Sequence, residues 1–286
     1  MPEAKPTKPS VLVQLDTDPQ PSVFDAVVAV DSGVDHLLRH GNVAPEQVRD
    51  LVHGVLFTRG IEDLRRSAIF IGGSDVSKGE AILQAVKKTF FGPFRVSVFQ
   101  DSNGSNTTAS AAVLAIGQSL GNPSDWKPIQ VVVLGAGPVG RRVAFLLSGL
   151  GASIWIGTPD PDQAVEGVER FLMKPDWQDE FAQSTAIVAA GPAGVNILEA
   201  VGRDQFPNLR VAIDLNAVPP LGLGNVKPTD RDEDRDGVRV WGALGVGALK
   251  MKIHKAVIRA LFDGEPTVFD VEQVFEVGRK LLNPST

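Results

Sequence analysis

Residues 130–151 constrain the fold of this chain more than any other segment. They form an apolar run, then the glycines Gly135, Gly137 and Gly140 at the spacing G-x-G-x-x-G, then a stretch of helical period, QVVVLGAGPVGRRVAFLLSGLG. Where such glycines join a buried strand to a helix, the first permits a tight turn and the third lets helix and strand touch. The second lets backbone N–H groups approach a pyrophosphate. The segment therefore predicts a Rossmann unit that binds a dinucleotide, with a purely structural glycine turn as the alternative.

The residues around this turn are the candidate cofactor contacts. They are the glycines, the first residues of the helix and the end of the next predicted strand: Gly135, Gly137, Pro138, Val139, Gly140 and Thr158. An acid at the end of that strand accepts the ribose hydroxyls of NAD, whereas a basic group accommodates the 2′-phosphate of NADP. Here the strand ends Gly157-Thr158-Pro159, with neither an acid at the expected position nor a basic residue close behind. The missing acid favours NADP, and NAD is the alternative.

Short apolar runs alternate with longer amphipathic stretches along the chain, which is typical of a mostly parallel sheet covered by helices. Predicted strands lie at 11–16, 68–72, 96–101, 130–134, 153–156, 185–190 and 211–215. Predicted helices lie at 22–31, 45–57, 75–90, 106–120, from 138, 244–262 and 271–282. The mixed charges of 227–239 predict a solvated surface loop.

The predicted fold class is α/β, with two α/β domains that flank an interdomain cleft, the second of them Rossmann-like. A length of 286 residues suits two domains. The turn formers of 121–125 mark a boundary, so that one domain spans 126–242. The last two helices are expected to pack back on the first part of the chain, because the second sheet already has its own cover. The other domain is then 1–125 plus 243–286.

Charge and composition exclude several classes of function. Lys and Arg total 28 against 34 Asp and Glu, and the net charge of −6 offers no attraction to nucleic acid or to an anionic membrane. The lack of Cys and the four scattered His leave little material for a metal site, and none is expected. The first ten residues lack the apolar core of a signal peptide, and no segment approaches the apolar length of a membrane span. A cytoplasmic protein is expected.

Polar residues cluster where two predicted strands end. The run Asp101-Ser102-Asn103-Gly104-Ser105-Asn106-Thr107-Thr108 joins a strand to a helix, and Asp16 ends the first strand shortly before Phe24 and Asp25. Ligands of α/β proteins usually bind at the carboxyl ends of the strands. Helix caps and Asx turns, the alternative, need only one or two such residues. The candidate substrate contacts are Asp16, Phe24, Asp25, Asp101, Ser102, Asn103, Asn106 and Thr108.

Glycines and a lysine open the long helix near the end of the chain. The sequence GALGVGALK carries three glycines, which weaken a helix and therefore indicate close approach of backbone. Lys250 is the candidate catalytic residue, because one ammonium group in a cleft can hold a ligand carbonyl or stabilise charge. Lys252 and Lys255 fit a solvated basic face, and His254 fits a packed or surface histidine.

No familiar hydrolytic arrangement is present in the sequence. It contains nothing that resembles a Ser-His-Asp triad, a zinc-protease helix or a phosphate loop with Lys after its glycines. Hydride transfer depends mainly on two carbons being held face to face, and needs no dedicated acid or base at the reacting carbon. The motifs therefore favour a dehydrogenase.

Five motifs extend over nearly the whole chain. They are QLDTD with PSVFD, FFGPFRV at 90–96, DSNGSNTTA at 101–109, GAGPVG, and GALGVGALKMK at 242–252. Together, in sequence and spacing, they resemble the bacterial NAD(P)-dependent methylene-tetrahydromethanopterin dehydrogenases. The resemblance implies oxidation of the methylene carbon of a reduced pterin to the methenyl form, with hydride transfer to NADP, in one-carbon metabolism.

The resemblance also implies roles for domains and residues. The first domain would bind the pterin and the second the dinucleotide. Lys250 and DSNGSNTT would line the pterin side, Phe24 and Asp25 would shape it, and the three glycines would hold the pyrophosphate. A homo-oligomer is expected, a trimer or a multiple of it. Where NADP-dependent relatives have basic residues after the strand, this chain has Thr158-Pro159, so the cofactor preference is not inherited with the family.

Two alternatives stay open from the sequence. A methylene-tetrahydrofolate dehydrogenase shares the reaction, although the absence of Tyr weakens a bifunctional version that would also act as a cyclohydrolase. A dinucleotide-sensing binding protein would use its first domain to engage a partner and would reduce no cofactor.

Overall fold

The computed structural model describes residues 8–158, 169–172 and 177–282, with the backbone alone at 169–172. Its strands are β1 Val11–Asp16, β2 His36–His40, β3 Ser67–Gly72, β4 Ser97–Gln100, β5 Gln130–Leu134, β6 Ser153–Thr158, β7 Glu169–Leu172, β8 Ala186–Ala189, β9 Val211–Asp214, β10 Arg231–Arg235, β11 Val238–Trp241 and β12 Val268–Phe269. Its α-helices are α1 Val23–Asp31, α2 Pro45–Leu56, α3 Ile61–Leu64, α4 Val76–Thr89, α5 Ser105–Ser119, α6 Pro138–Leu150, α7 Trp177–Glu180, α8 Ala243–Ala260 and α9 Val271–Leu282. Over the described ranges, no helix is both long and apolar enough to cross a lipid bilayer.

The chain divides into two compact units. Unit 1 extends to Asn106 and resumes at Lys252, and unit 2 is Thr107–Met251. The chain passes from one unit to the other within α5 and within α8, since each of these long helices has one end in each unit. The predicted domain limits, 1–125 with 243–286 and 126–242, stay predictions.

Unit 1 is built on a five-stranded sheet in the order β12-β4-β3-β1-β2, and its strand pairs are parallel. Every residue of the central strand β3 is buried, as expected for a parallel strand covered on both faces. One face packs against α2 and α4 in an apolar core that includes Leu15, Ile71, Val52 and Ile82. Because the strands are parallel, the carboxyl ends of β1, β3 and β4 lie at one edge of the sheet.

Unit 2 is built on a seven-stranded sheet in the order β10-β11-β9-β8-β5-β6-β7. From β7 to β11 the strands are parallel, and their order is the Rossmann order 3-2-1-4-5-6. The chain leaves β5 towards β6 on one side and later returns to β8 on the other. Dinucleotides bind at this change of direction in Rossmann folds. The predicted α/β class with a Rossmann-like second part is confirmed.

The charged segment 227–239 was wrongly predicted as a loop. Strand β10 pairs antiparallel with β11, and the two residues between them, Asp236 at φ 53° and Gly237 at φ 80°, have the left-handed backbone of a type I′ hairpin. The charges are explained by the position of β10 at the edge of the sheet, where charged side chains discourage pairing with another chain. The Asp-Gly pair was the sequence signal for this hairpin.

Asp232 fastens the edge strand β10 to its surroundings. Its Oδ1 accepts hydrogen bonds from Ser119 Oγ at 2.6 Å and from Arg239 Nε at 2.9 Å, and its Oδ2 lies 2.7 Å from Arg239 Nη2. Trp241 Nε1 donates in turn to Ser119 Oγ at 2.9 Å. The hydrogen bonds from Arg239, above all, lower the pKa of Asp232 from its usual 3.8. The ionised carboxylate therefore stabilises the folded state.

We expect the Asp232→Asn variant to show that this contribution depends on pH. Because the folded pKa lies below 3.8, the ionised group stabilises the fold above that pH and loses its effect as the pH falls through the folded pKa. The difference in melting temperature between wild type and variant should be largest near neutral pH and should shrink below about pH 4. Glu233→Gln, on the exposed side of the same strand, is the control. A difference that stays constant from pH 7 to pH 3 would contradict the assignment.

Strand β2 was also missed, together with the short strands β7 and β12. It reads His-Leu-Leu-Arg-His and is an outermost strand of the unit 1 sheet, paired only with β1 among the described strands, and most of its residues are exposed. An edge strand of this kind lacks the continuous apolar run that marked the central strands. The other predicted strands and helices coincide with observed elements, with limits that differ by two residues or fewer at the ends that were predicted.

Candidate functional site

The glycine turn after β5 has the geometry that its sequence predicts. Gly135 has φ 122°, in the region that favours glycine, and a Cβ there would lie 2.6 Å from the carbonyl oxygen of Ala190, which directly follows β8. A Cβ at Gly140 would overlap the carbonyl oxygen of Gly135. These two positions therefore require glycine for the close contact of strand, turn and helix.

Gly137 is different, because nothing within 4 Å would meet a Cβ placed on it. It caps the N-terminus of α6 without a side-chain hydrogen bond, and Pro138 follows as the first helical residue. Pro138 is exposed, and Val139 is half-buried. A long helix thus begins beside open space with no side chain covering its N–H groups, an arrangement that suits a pyrophosphate.

The other cofactor candidate, Thr158, ends β6 and is 1% exposed. Pro159, which follows it in the departure from the family pattern, lies outside the described residues. Sequence reasoning missed Arg141, which directly follows the last glycine. Its Nε donates to the carbonyl oxygen of Ala136 at 2.7 Å and so braces the glycine turn.

At the edge of the unit 1 sheet, Asp16 organises the start of α1. Its Oδ1 accepts from the backbone N–H of Asp18 at 2.9 Å. Its Oδ2 accepts from the N–H of Ser22 and from Gln14 Nε2, both at 3.1 Å. The side chain is buried, and both carboxylate oxygens are engaged within the protein. Asp16 thus holds in place the helix that carries Phe24 and Asp25.

Phe24 and Asp25 lie in the first turn of α1. Phe24 is 55% exposed and Asp25 is half-buried. A Cβ at Gly72, the last residue of β3, would lie 3.1 Å from Asp16 Oδ2 and 3.6 Å from Asp25 Oδ2. The structure therefore brings the two predicted carboxylates together over one glycine, whose role sequence reasoning did not anticipate.

The polar run after β4 begins with a single 3-10 turn, Ser102–Gly104. Ser102 is buried, and its Oγ donates to the carbonyl oxygen of Gly72 at 3.1 Å. The N–H of Asn103 donates to the carbonyl oxygen of Gly73 at 2.7 Å. Asn103 has φ 54° and an exposed side chain. This bend, residues 102–104, ties the ends of β3 and β4 together and presents Asn103 to solvent.

Asp101 and Asn106 lie below the bend and are buried. Asp101 Oδ1 accepts from the N–H of Asn106 at 2.9 Å. The Nδ2 group of Asn106 donates to the carbonyl oxygen and to Oε1 of Gln100, both at 2.7 Å, and to Asp270 Oδ1 at 3.1 Å. Thr108, half-buried, follows in the next turn of α5. Sequence reasoning missed Gln100 and Asp270, the latter because it lies far away in the chain.

Lys250 lies in the first half of α8 and is half-buried. It forms no ion pair with any residue that the structure describes, whereas Lys255 pairs with Asp31 at 2.9 Å and Lys252 is exposed. Cβ atoms at Gly242 and Gly245 would overlap the carbonyl oxygens of Lys227 and Asp230, which explains these two helix glycines. Lys250 is thus the half-buried lysine of this segment that has no ion-pair partner among the described residues.

A search of the described residues finds no group of three or more His, Asp or Glu side chains that could hold a metal ion. In unit 2, Asp214 ends β9 with a pKa raised by burial, and it accepts from the N–H groups of Asn216 and Leu223, both at 2.9 Å. This carboxylate orders the loop that follows β9. Among the described residues, the candidate groups are therefore the uncapped N-terminus of α6, the polar side chains at the ends of β1 and β4, and the ammonium group of Lys250.

Two known proteins are similar to this chain over nearly its whole length and over nearly their own. A model of the family described as "Methylene-tetrahydromethanopterin dehydrogenase, N-terminal" matches residues 23–103. The "Bifunctional protein MdtA" of Methylorubrum extorquens is 39% identical, over 95% of this chain and 98% of that protein. The "NAD(P)-dependent methylenetetrahydromethanopterin dehydrogenase" of the same organism is 30% identical, over 90% of this chain and 93% of that protein.

Among solved structures, a chorismate mutase/shikimate 5-dehydrogenase fusion protein from Clostridium acetobutylicum has the same fold, with a TM-score of 0.53. The match covers 96% of this chain and 97% of that chain at 13% identity. At this identity the likeness concerns the fold alone. The sequence similarity is more informative, because the two relatives from Methylorubrum extorquens are 39% and 30% identical over 95% and 90% of this chain. This chain belongs to the methylene-tetrahydromethanopterin dehydrogenase family.

Proposed function

We propose that this protein oxidises methylene-tetrahydromethanopterin to the methenyl form and transfers the hydride to NADP, as a step of one-carbon metabolism. Membership of the family makes the chain an NAD(P)-dependent oxidoreductase. The observation that carries the proposal is the similarity over 90% of the chain to a relative that is named for this reaction. The intact glycine turn and the polar strand ends support it.

The turn after β5 fits the dinucleotide. Gly135 and Gly140 make the turn close-packed, and the open space at Gly137 leaves the N-terminus of α6 accessible to the pyrophosphate. The nicotinamide, when bound, supplies the carbon that accepts the hydride. At this turn the chain binds and orients the dinucleotide, and the backbone N–H groups there transfer no proton in the reaction.

The preference for NADP over NAD is part of the proposal. Thr158 stands where NAD-dependent Rossmann enzymes carry the acid that accepts the ribose hydroxyls. An acid there would repel a 2′-phosphate, whereas Thr158 at the end of β6 carries no charge. NAD is accepted more weakly in this view.

On the pterin side we assign contact to the candidates with accessible side chains, and support to the buried ones. Phe24, Asp25, Asn103, Thr108 and Lys250 are exposed or half-buried. The support is provided by Asp16, Asp101, Ser102 and Asn106, whose polar atoms bind within the protein. Asp25 is the group suited to the N–H donors of the pterin ring.

The reaction requires little acid–base catalysis by the side chains of the protein. The two nitrogen lone pairs that flank the methylene carbon stabilise the cation that develops as the hydride leaves. No proton moves at the reacting carbon, so the chain's task is to align the rings and complement charge. Lys250 holds a ring carbonyl, and Asp25 supplies the negative charge near the pterin.

Four reactions test the function. The protein is mixed with methylene-tetrahydromethanopterin or methylene-tetrahydrofolate, each with NADP or NAD, and nicotinamide absorbance near 340 nm is followed. We expect the fastest reduction with the methanopterin and NADP. A preference for the folate substrate would move the assignment to a methylene-tetrahydrofolate dehydrogenase. Absence of reduction in all four, with intact dinucleotide binding, would indicate a sensing protein.

The proposal includes a homo-oligomer, a trimer or a multiple of it, located in the cytoplasm. It includes no nucleic-acid or membrane partner, in keeping with the net charge of −6. Light scattering coupled to size-exclusion chromatography measures the subunit number directly. A monomer at micromolar concentration would contradict the oligomer.

A further inference from the structure

His254 is a buried histidine that the proposed chemistry does not use. It lies in the middle of α8 and is 2% exposed. Its ring packs edge-on against Phe99, with ring centroids 5.1 Å apart at 81°, and tilted against Phe70 at 5.7 Å. Burial of a polar ring among phenylalanines is unfavourable unless a polar group compensates it. An apolar residue would pack here at lower cost, so the histidine needs another explanation.

One polar neighbour of His254 is the carboxylate of Asp101. His254 Nδ1 lies 3.6 Å from Asp101 Oδ2, and the two side chains are 2% and 0% exposed. The other oxygen, Oδ1, accepts from the N–H of Asn106 at 2.9 Å. The Asp101 carboxylate thus contacts the imidazole at 3.6 Å on one side and is hydrogen-bonded to the first turn of α5 on the other.

The link continues through the Asn106 side chain. Its Nδ2 group donates to two acceptors of Gln100 at 2.7 Å and to Asp270 at 3.1 Å, which come from β4 and from the start of α9. The bend at residues 102–104, which presents Asn103, lies between Asp101 and α5. Its shape therefore depends on the orientation of Asp101 on one side and of Asn106 on the other.

We propose that His254 is a positioning residue: through the Asp101 carboxylate it holds the bend at 102–104 and the first turn of α5 in the form that binds the pterin. The effect on catalysis rests on the proposed function. The effect on the structure of the bend does not, and can be measured separately.

The matched pair His254→Asn and His254→Leu tests the proposal. The two replacement side chains are similar in size, but the amide nitrogen of asparagine occupies the position of Nδ1, whereas leucine has no polar atom there. We expect His254→Leu to lower kcat/KM for the methylene-pterin about 10- to 100-fold, mainly through KM, as for a misplaced contact residue. His254→Asn should restore most of that loss, with the NADP dissociation constant unchanged in both.

A purely structural histidine would give the reverse order. Between Phe70 and Phe99, leucine would then stabilise the protein at least as well as asparagine and would retain at least as much activity. That result would overturn the proposal.

Hydrogen exchange supplies a readout that needs no substrate. The N–H of Asn106, bonded to Asp101, should exchange about tenfold faster in His254→Leu than in wild type, and close to the wild-type rate in His254→Asn. Unchanged exchange in the leucine variant would refute the positioning role, even in an active enzyme. Failure of wild type to reduce NADP with either pterin would instead refute the proposed function.

If the leucine variant does not fold, Asp101→Asn carries the test. It and His254→Met, which has no nitrogen at the position of Nδ1, are each measured alone and then combined in a double-mutant cycle on the exchange rate of the Asn106 N–H. If the residues are coupled, the change in exchange rate in the double variant should differ from the product of the changes in the two single variants. A double variant whose change equals that product would contradict a link between His254 and Asp101.

Discussion

Replacement of Gly137 by valine is expected to abolish tight NADP binding while the protein stays folded. A side chain at this position meets nothing within 4 Å, so the fold has room for it. Its backbone, at φ −71°, also accepts any residue. The valine would, however, fill the open space beside the N-terminus of α6 that the pyrophosphate needs. We expect the NADP dissociation constant to rise at least about 100-fold, a loss of roughly 3 kcal/mol.

The matched control is Gly149→Val, near the other end of the same helix, where a side chain also meets nothing within 4 Å. Both variants should melt within a few degrees of wild type, because a single surface change alters stability by about 1 kcal/mol or less. Only Gly137→Val should lose cofactor binding in a titration. Equal NADP affinity in all three proteins would place the dinucleotide elsewhere. Gly140 is unsuitable for this test, since a side chain there overlaps Gly135 and disturbs the turn itself.

The Lys250→Ala variant is expected to lose turnover of the pterin and to keep its cofactor affinity. The ammonium group of Lys250 has no ion-pair partner among the described residues, so it is available to hold a ligand carbonyl. Loss of one charged contact at the reacting ring should lower kcat/KM about 100- to 1,000-fold. Separate measurement of kcat and KM will show whether binding or alignment is the larger part.

Lys252→Ala is the control for this prediction, because Lys252 is exposed two residues further along α8. It should be close to wild type in both constants. A collapse of NADP affinity in Lys250→Ala would show that the lysine serves the cofactor. Unchanged turnover would remove it from the pterin site.

The part of the candidate site that one continuous segment forms, the glycine turn between β5 and α6, was predictable from the sequence. Strand β5, the glycine turn and α6 occupy the predicted residues, because the spacing of the glycines is a local signal. Gly140 is restricted by Gly135 within the turn, whereas Gly135 is restricted by Ala190, which follows β8 much later in the chain. Close approach of backbone was predicted for three glycines near the start of α8. It is confirmed for Gly242 and Gly245, whereas nothing lies within 4 Å of a Cβ at Gly247. A backbone position that only glycine can occupy is therefore visible in the sequence.

The edge strands were not predictable in the same way. Strands β2 and β10 are polar and largely exposed, and they are strands only because a neighbour in the sheet offers hydrogen bonds. Their sequences alone fit a solvated segment equally well. Asp236-Gly237 was the one local sign of the β10 hairpin.

Within the unit 1 site, the sequence predicted which residues gather at the strand ends, and the structure separated their tasks. Asp16 and Asp101 direct their carboxylates inward to N–H groups, whereas Asp25 and Asn103 remain accessible. The distinction depends on which hydrogen-bond donors surround each carboxylate, and those donors come from the turns that follow each strand. Residue type and spacing do not specify it.

By itself the sequence determined the fold class and the residues of the glycine turn, since hydrophobic periodicity and glycine spacing are signals within short stretches of chain. The resemblance of its motifs indicated the family. Only the tertiary structure decided that His254 faces Asp101 and that Asp270 accepts from Asn106, a pair 164 positions apart. Such contacts are set by how the sheet stacks against α8 and α9. Packing brings into contact residues that are far apart in the sequence, and nothing in the local sequence around either residue predicts the contact.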